Sequence, residues 1–302
     1  MTALPRILLT GAAGQVGREL RRSFAGFGDL TAVDRESLDL SAEQQIRDTV
    51  RRLHPDVILN AAAYTAVDRA ESEPGLASAI NTLGPAILAE EARETNALLV
   101  HYSTDYVFDG GKSEPWTESD PPHPLNIYGA TKLAGEQAIR DRGGRFLILR
   151  TSWVYGPHGR NFLLTMLRLG RERDRLTIVD DQIGAPTSSI EIADATRAVV
   201  EGALAGRFGS PEEWTGLYHL TCAGSTTWFG FAQAIFARAR HLLPAKPLEL
   251  IPISTSEYPT PAKRPRNSVL SNALLTNRFG IRPAPWEVAL DKAISLLKRS
   301  DI

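Results

Sequence analysis

Tyr128 and Lys132 stand four residues apart in Tyr128-Gly129-Ala130-Thr131-Lys132. On a helix that spacing projects both side chains from one face. The pair suits reduction of a ketone, which needs a hydride donor and a proton for the carbonyl oxygen. A free phenol, with a pKa of ~10, is a sluggish donor at neutral pH. A nearby ammonium stabilises phenolate and lowers that pKa, and the same lysine can hydrogen-bond the ribose of a nicotinamide. A bare Tyr-x-x-x-Lys recurs by chance, so its weight comes from context. Upstream, His101-Tyr102-Ser103-Thr104-Asp105-Tyr106-Val107-Phe108 closes a predicted strand, and open parallel sheets bind ligands outside the carboxyl ends of their strands. The Thr104 hydroxyl is expected to meet the carbonyl oxygen beside Tyr128 and to steady a developing alkoxide. Asp105 is expected to hold a sugar hydroxyl or assist proton delivery. His101 receives no role, because a lone strand histidine is more often structural than catalytic.

A second constellation lies at the start of the chain. Gly11-Ala12-Ala13-Gly14-Gln15-Val16-Gly17 follows the first predicted strand directly and opens a helix, the context a dinucleotide loop requires. Glycines permit a tight turn and close approach of backbone to pyrophosphate, and the helix N-terminus supplies free N–H groups. The second strand ends at Val33-Asp34-Arg35. Asp34 would hold the adenosine ribose hydroxyls and favour NAD(H), whereas Arg35 would meet a 2′-phosphate and favour NADP(H). Both are present, so either cofactor is compatible. Asp39 and Leu40 flank the adenine or merely precede the next helix.

Positioning such groups calls for strands and helices in alternation. Ile7–Thr10, Leu30–Val33, Val57–Leu59, Leu98–Ser103 and Phe146–Leu149 are short apolar runs suited to strands covered on both faces. Between them, Gln15–Phe24 follows the glycine loop, Ser41 with Gln44 predicts a capping box, and Pro74 opens a helix running to about Glu94. This alternation predicts an α/β fold, a Rossmann-type doubly wound parallel sheet. After about residue 150 prolines from Pro157 to Pro285 break the rhythm. Helices are expected at Phe162–Arg171, Ile190–Leu204, Phe229–Arg240 and Trp286–Leu297. The expected division is an NAD(P)-binding domain over residues 1–155, with helices near 190–204 packing on it, and a smaller, mainly substrate-binding α/β lobe over 156–302.

The chain's formal net charge of −1 leaves no basic footprint for nucleic acid and no polybasic membrane patch. The single cysteine, Cys222, excludes an internal disulfide and a cysteine-based zinc site. It reads as a small buried residue in a reducing compartment. The apolar run Ile7–Leu9 stops at the glycine loop, too short for a signal peptide core, and no stretch approaches a membrane span. A cytoplasmic location is expected.

The loop Gly11–Gly17, the block Asn60-Ala61-Ala62-Ala63-Tyr64-Thr65-Ala66-Val67-Asp68, Ser103–Gly110, Tyr128–Glu136 and Arg150-Thr151-Ser152-Trp153-Val154-Tyr155-Gly156 together resemble the dTDP-4-dehydrorhamnose reductases, an extended short-chain dehydrogenase/reductase family. Asp181–Thr187 and Arg264-Pro265-Arg266-Asn267-Ser268 extend the resemblance to essentially the whole chain. It implies reduction of a dTDP-sugar ketone at C4. It implies Gly14, Gln15 and Val16 around the pyrophosphate and Asp34, Asp39 and Leu40 around the adenosine. Ala63, Tyr64, Thr65 and Tyr102 would line the cofactor path. Tyr128 would donate the proton and Lys132 would tune it. Thr104 and Asp105 would contact substrate, with Val67 and Arg264 on the same side and Trp153 against the sugar ring. Some members form a magnesium-bridged homodimer through glutamates. Glu19 matches one such position, but the second falls on Ile190, with Glu191 shifted by one, and isoleucine cannot ligate magnesium.

Two other enzyme classes and one non-enzymatic class compete. Nucleotide-sugar dehydratases, by the same kind of resemblance, carry Thr-Asp-Glu where this chain has Thr104-Asp105-Tyr106. Epimerase-reductases would add a Cys/His acid–base pair, and here Cys222 and His219 lie far downstream. Non-catalytic regulatory subunits use the fold to bind nucleotide and partner, but the intact Thr104, Tyr128 and Lys132 argue against that.

Overall fold

The computed structural model describes residues 4–244 and 248–298; the outermost residues of the two expected domains lie outside that range. One all-parallel sheet contains β1 (Arg6–Thr10), β2 (Asp29–Val33), β3 (Val57–Asn60), β4 (Leu98–Thr104), β5 (Arg145–Thr151) and β6 (Gly216–His219). Their order is β6-β5-β4-β3-β1-β2. The chain steps to one side of β1 and then returns to the other, so the switch point falls between β1 and β3, where such sheets leave a crevice.

Alternation sorts the strand side chains between two cores. Ile7, Leu9, Leu59, Val100 and Leu149 face helix α1 (Gln15–Ser23), through Leu20, and its neighbour Phe24. Leu8, Ile58, Leu99 and Ile148 face α2 (Glu43–Leu53), α3 (Gly84–Glu94) and α4 (Ile127–Arg142), through Ile46, Val50, Leu88 and Ile139. A sheet apolar on both faces explains why its strands read as unbroken hydrophobic runs.

Residues from 155 onward contribute to two places. Ile192, Ala193, Val199 and Val200 of α5 (Ser189–Leu204) join the first core, as do Leu275 and Phe279, and β6 extends the sheet beside β5. The rest forms a smaller lobe with its own core, including Tyr155, Leu163, Leu167, Phe231, Ile235, Trp286 and Leu290. There Arg175–Val179 pairs in parallel with Glu249–Ile253.

One expected device is absent. Helix α2 begins at Glu43 with no side-chain cap. Ser41 instead donates both its N–H and its hydroxyl to Asp39 Oδ1, at 2.9 and 2.7 Å, and Gln44 donates to Asp48 at 2.8 Å. An aspartate two residues upstream offers Ser41 a local turn that competes with capping. The segment begun by Pro74 does reach Glu94, but through a π-helical turn at Ala79–Leu83.

Candidate active site

Helix α4 starts at Ile127 because Asn126 Oδ1 accepts the Gly129 N–H at 2.8 Å. Gly129 is required for contact: a Cβ there would lie 2.1 Å from the Tyr106 carbonyl oxygen. The first turn of α4 therefore rests directly on the 3-10 turn Asp105–Val107 that follows β4. This sets Tyr128 over the carboxyl end of β4, with its ring edge-on to Tyr106 at 5.6 Å between centroids.

Thr104, Asp105 and Tyr128 are brought together. Thr104 Oγ1 donates to Asp105 Oδ1 at 2.9 Å and accepts from the Tyr106 N–H at 3.2 Å, with the Tyr128 phenol close by. Ser152 donates to Asp105 Oδ2 at 3.1 Å, and Ser268, whose hydroxyl donates to the Ile183 carbonyl at 3.3 Å, lies close to this carboxyl. Neither serine was singled out from the sequence. The signal for Ser152 is strand register, since Thr104 pairs with Thr151 and the two strand ends come out side by side. Burial pushes Asp105 up to about 6, against the pull of its hydroxyl donors.

Lys132 occupies a different environment. Its Nζ donates to the Tyr102 carbonyl at 2.6 Å and lies 3.3 Å from His101 Nε2. Burial brings the ammonium down to about 8, with Glu136 pulling the other way. The expectation that Lys132 lowers the phenol's pKa is not met here. Burial pushes Tyr128 up to about 12, the nearby Thr104 hydroxyl only partly offsets it, and the Asp105 charge adds to the rise. Beneath Lys132, Glu136 accepts from Ser103 at 2.5 Å and from two nitrogens of Arg150 at 2.8 and 2.6 Å. That ion pair is almost wholly buried.

A π turn braces the same helix from outside. Asn81 Oδ1 accepts the Tyr64 N–H at 2.8 Å, while its Nδ2 donates to the Tyr64 carbonyl at 3.1 Å and to Thr131 Oγ1 at 3.2 Å. Thr82 Oγ1 donates to the Thr131 carbonyl at 2.8 Å. The loop with Ala63, Tyr64 and Thr65 is thus tied to α4, and the Tyr64 phenol donates to Glu73 at 2.5 Å.

At the glycine loop, Gly11 has φ +67°, and a Cβ on Gly17 would lie 2.1 Å from the Gly11 carbonyl oxygen. Helix α1 opens at Gln15 from Gly14 with no side-chain cap and no acid in its first turn. Its leading N–H groups at Gln15, Val16 and Gly17 lack intrahelical partners, and Gln15 Oε1 is buried without a hydrogen-bond partner. These features fit a dinucleotide pyrophosphate. Asp34 Oδ1 accepts from Glu36, Ser37 N–H and Ser37 hydroxyl, which hold its carboxyl below the usual range. Exposed Arg35 pairs with Asp39 at 3.6 Å. Leu40 is a core side chain, and its carbonyl packs closely on Gly84. Tyr102 turns its phenol away, to Thr196 at 2.9 Å, and presents only its carbonyl to Lys132.

Among the residues expected to face substrate, Val67 opens the short helix Val67–Ala70. Its neighbour Asp68 takes Arg264 Nη2 at 2.9 Å, and Arg264 acts electrostatically on Tyr106. Trp153 has φ +46°, a left-handed conformation costly for an L residue. It is held there by a stack on Trp228, with centroids 3.6 Å apart, and by close contact with the Gly184 backbone. Cys222 and His219 are buried away from these groups' exposed side, Cys222 in the second-lobe core and His219 edge-on to Phe108.

The residues at the implied magnesium site do not fit the ion. Glu19 is bonded to Arg22 at 2.7 Å, Arg22 also reaches Asp194 at 2.5 Å, and Lys292 bridges Glu191 and Asp194 at 3.2 and 3.3 Å. Ile190 is buried in the core. Two cations of the chain already sit among these carboxylates, and magnesium requires oxygen ligands with space to complete an octahedron. Among the described residues no helix is long and apolar enough to cross a membrane.

A parallel sheet of this order, a glycine loop after β1 and a Tyr-x-x-x-Lys helix over β4 define a Rossmann-type protein of the extended short-chain dehydrogenase/reductase class. Residues 5–299 match the family described as the RmlD substrate binding domain. The chain is 49% identical over 292 residues to a dTDP-4-dehydrorhamnose reductase of Burkholderia thailandensis, covering 94% of this chain and 96% of that one. It is 47% identical to that of Salmonella typhimurium, covering 96% and 97%. A crystal structure of dTDP-4-dehydrorhamnose reductase from Bacillus anthracis in complex with NADP superposes with a TM-score of 0.87 at 37% identity, covering 97% of this chain and 99% of that one. The chain belongs to the dTDP-4-dehydrorhamnose reductase family.

Proposed function

We propose that this protein reduces the C4 ketone of dTDP-4-dehydro-L-rhamnose to dTDP-L-rhamnose, the final step of dTDP-rhamnose biosynthesis, with NADP(H) or NAD(H) as reductant. The observation that carries this reading is the meeting of Thr104, Asp105 and Tyr128 at the carboxyl end of β4, one helical turn from Lys132. Family membership supports the substrate, and the NADP in the Bacillus anthracis structure supports the cofactor.

A bound dihydronicotinamide supplies the hydride. Tyr128 holds a proton at its phenol oxygen and releases it to the C4 oxygen. The Thr104 hydroxyl proton turns from Asp105 to the same oxygen as charge develops there. Lys132 would bind the nicotinamide ribose. Gly11, Gly14, Gln15, Val16 and Gly17 hold the pyrophosphate, and Asp34, Asp39 and Leu40 border the adenosine. Trp153, Val67 and Arg264 border the substrate. The same reading has the enzyme act in the cytoplasm; a homodimer is the assembly to look for, by sedimentation with and without a chelator.

Oxidation of NADPH and NADH is to be followed with dTDP-4-dehydro-L-rhamnose and with 4-keto-6-deoxy sugars on other nucleotides. Turnover confined to the thymidine nucleotide supports the reading. No oxidation with any of them would end it.

A further inference from the structure

The side chains behind Lys132 form a row that the reduction itself does not account for. Thr10, Asn60 and His101 are register partners across β1, β3 and β4. Their side chains point to one face and join. Thr10 Oγ1 lies 2.7 Å from Asn60 Oδ1, Asn60 Nδ2 lies 2.9 Å from His101 Nδ1, and His101 Nε2 lies 3.3 Å from Lys132 Nζ. All four residues are about 1% exposed. Thr10 is the last residue before the glycine loop, so the row runs beneath the crevice from the pyrophosphate end to the lysine. Polar groups this deep are costly unless each is paired, and four in one line across a hydrophobic sheet need a reason.

We propose that His101 is a positioning residue for Lys132: with Asn60 and Thr10 it forms one directional row that holds the amine in either of its charge states. This rests on the reading of Lys132 as the group that binds the nicotinamide ribose. A neutral imidazole offers one donor and one acceptor, so the row has a direction. In one sense Thr10 donates to Asn60, Asn60 to His101 Nδ1, and His101 Nε2–H to an uncharged Lys132. With the Asn60 carboxamide turned over, an exchange that leaves the heavy-atom positions in place, every bond reverses. The ammonium then donates to Nε2, Nδ1–H donates to Asn60 Oδ1, and the amide donates to Thr10. Burial, and then the charge of Lys132, keep the imidazole itself neutral. Few other charges face the lysine. Glu136 on its own helix is engaged by Arg150 of β5 and Ser103 of β4. The π turn presents Asn81 and Thr82, neither titratable, to Thr131 beside it. Tyr128 lies one turn back on α4.

Steady-state rates between pH 6 and 10 test this with His101→Phe, which keeps a ring but neither nitrogen, and His101→Gln, whose carboxamide can again face either way. His101→Phe should lower kcat about 10- to 100-fold, the scale of one hydrogen bond to a charged group, and move the alkaline limb of the profile. His101→Gln should recover most of the rate and return the limb. In a Lys132→Met background, His101→Phe should add no further loss. A limb that stays put in His101→Phe, or equal losses in the two variants with the limb unmoved, would overturn the proposal. Should His101→Phe give no cooperative melt, Thr10→Val carries the same test from the far end of the row.

A readout without turnover separates this from the functional reading. In substrate-free protein, 15N NMR of His101 should show a neutral ring that changes tautomer as Lys132 loses its proton. A single tautomer across that range overturns the row whatever the enzyme reduces. Full turnover by Lys132→Met overturns the reading beneath it, and the proposal with it.

Discussion

Tyr128 and Lys132 share one helix face, yet they stand in opposite surroundings. The phenol lies at the rim, half-buried, with a hydroxyl and a second ring as neighbours. The amine lies under the crevice, fully buried, with a carbonyl, an imidazole and a buried ion pair around it. The difference separates two jobs. On the proposed function, the group that gives up a proton is left free to meet a ligand, while the group that would hold the cofactor is built into the core. Damage at the first end should therefore appear in rate, and damage at the second in stability as well.

The largest expected effect breaks the rim alone. Tyr128→Phe should lower kcat by about 10²–10⁴, the contribution of a positioned acid, while the melting temperature and NADPH affinity stay near wild type. A large loss of melting temperature would erase the contrast. Next, Glu136→Gln should act through the buried end. It leaves Arg150 without its counter-charge, and breaking a buried pair costs about 3–5 kcal/mol. Denaturant titration should show that loss; an unchanged midpoint would mean the ion pair is not what holds this end.

The pH dependence of stability sharpens the comparison, because the two ends have opposite slopes. Asp105 titrates at about 6 in the fold against an ordinary carboxyl value of 3.8. Between those values the unfolded chain releases its proton first, so stability falls as pH rises from about 4 to 6. The whole effect is on the order of 1–3 kcal/mol. Lys132 titrates at about 8 against 10.5, so the folded chain loses its proton first and stability rises between those values. Urea midpoints of wild type minus Asp105→Asn, and of wild type minus Lys132→Met, isolate each slope. Equal signs would show that burial does not dominate at one of the ends. The smallest effect lies outside both. Trp228→Ala removes the stack behind Trp153 and should raise the substrate KM about 2- to 10-fold, the scale of one aromatic pair, with kcat little changed.

The first half of the fold was legible because both faces of its sheet are covered. Ile7–Thr10 and Val57–Leu59 read as unbroken apolar runs, and the structure extends them by one residue at most. Strand β6 was not legible. Gly216-Leu217-Tyr218-His219 is short, sits at an edge and carries a glycine, so nothing in its pattern distinguishes it from a loop. The Ser41 cap failed for a related reason, since a signal local to three residues was outbid by Asp39 just before it. At the site, side chains on a single motif were foreseeable together, as Thr104 with Asp105 or Tyr128 with Lys132. Partners that meet only through strand pairing, such as Ser152 with Asp105 or Asn60 with His101, required the register. His101 is the sharpest case. Alone on a strand it reads as structural, and only its row gives it a direction.

The π turn at Ala79–Leu83 makes chain length itself a component of the site. Deleting one residue there would let the segment relax into a regular helix, a change that local energetics favour. It would also rotate Asn81 by about 100° around the axis and release both the Tyr64 loop and Thr131. The irregular turn is therefore a phase adjustment: it lets one helix satisfy the core on one side of Asn81 and again beyond it, while Asn81 itself stays clamped between the Tyr64 loop and α4.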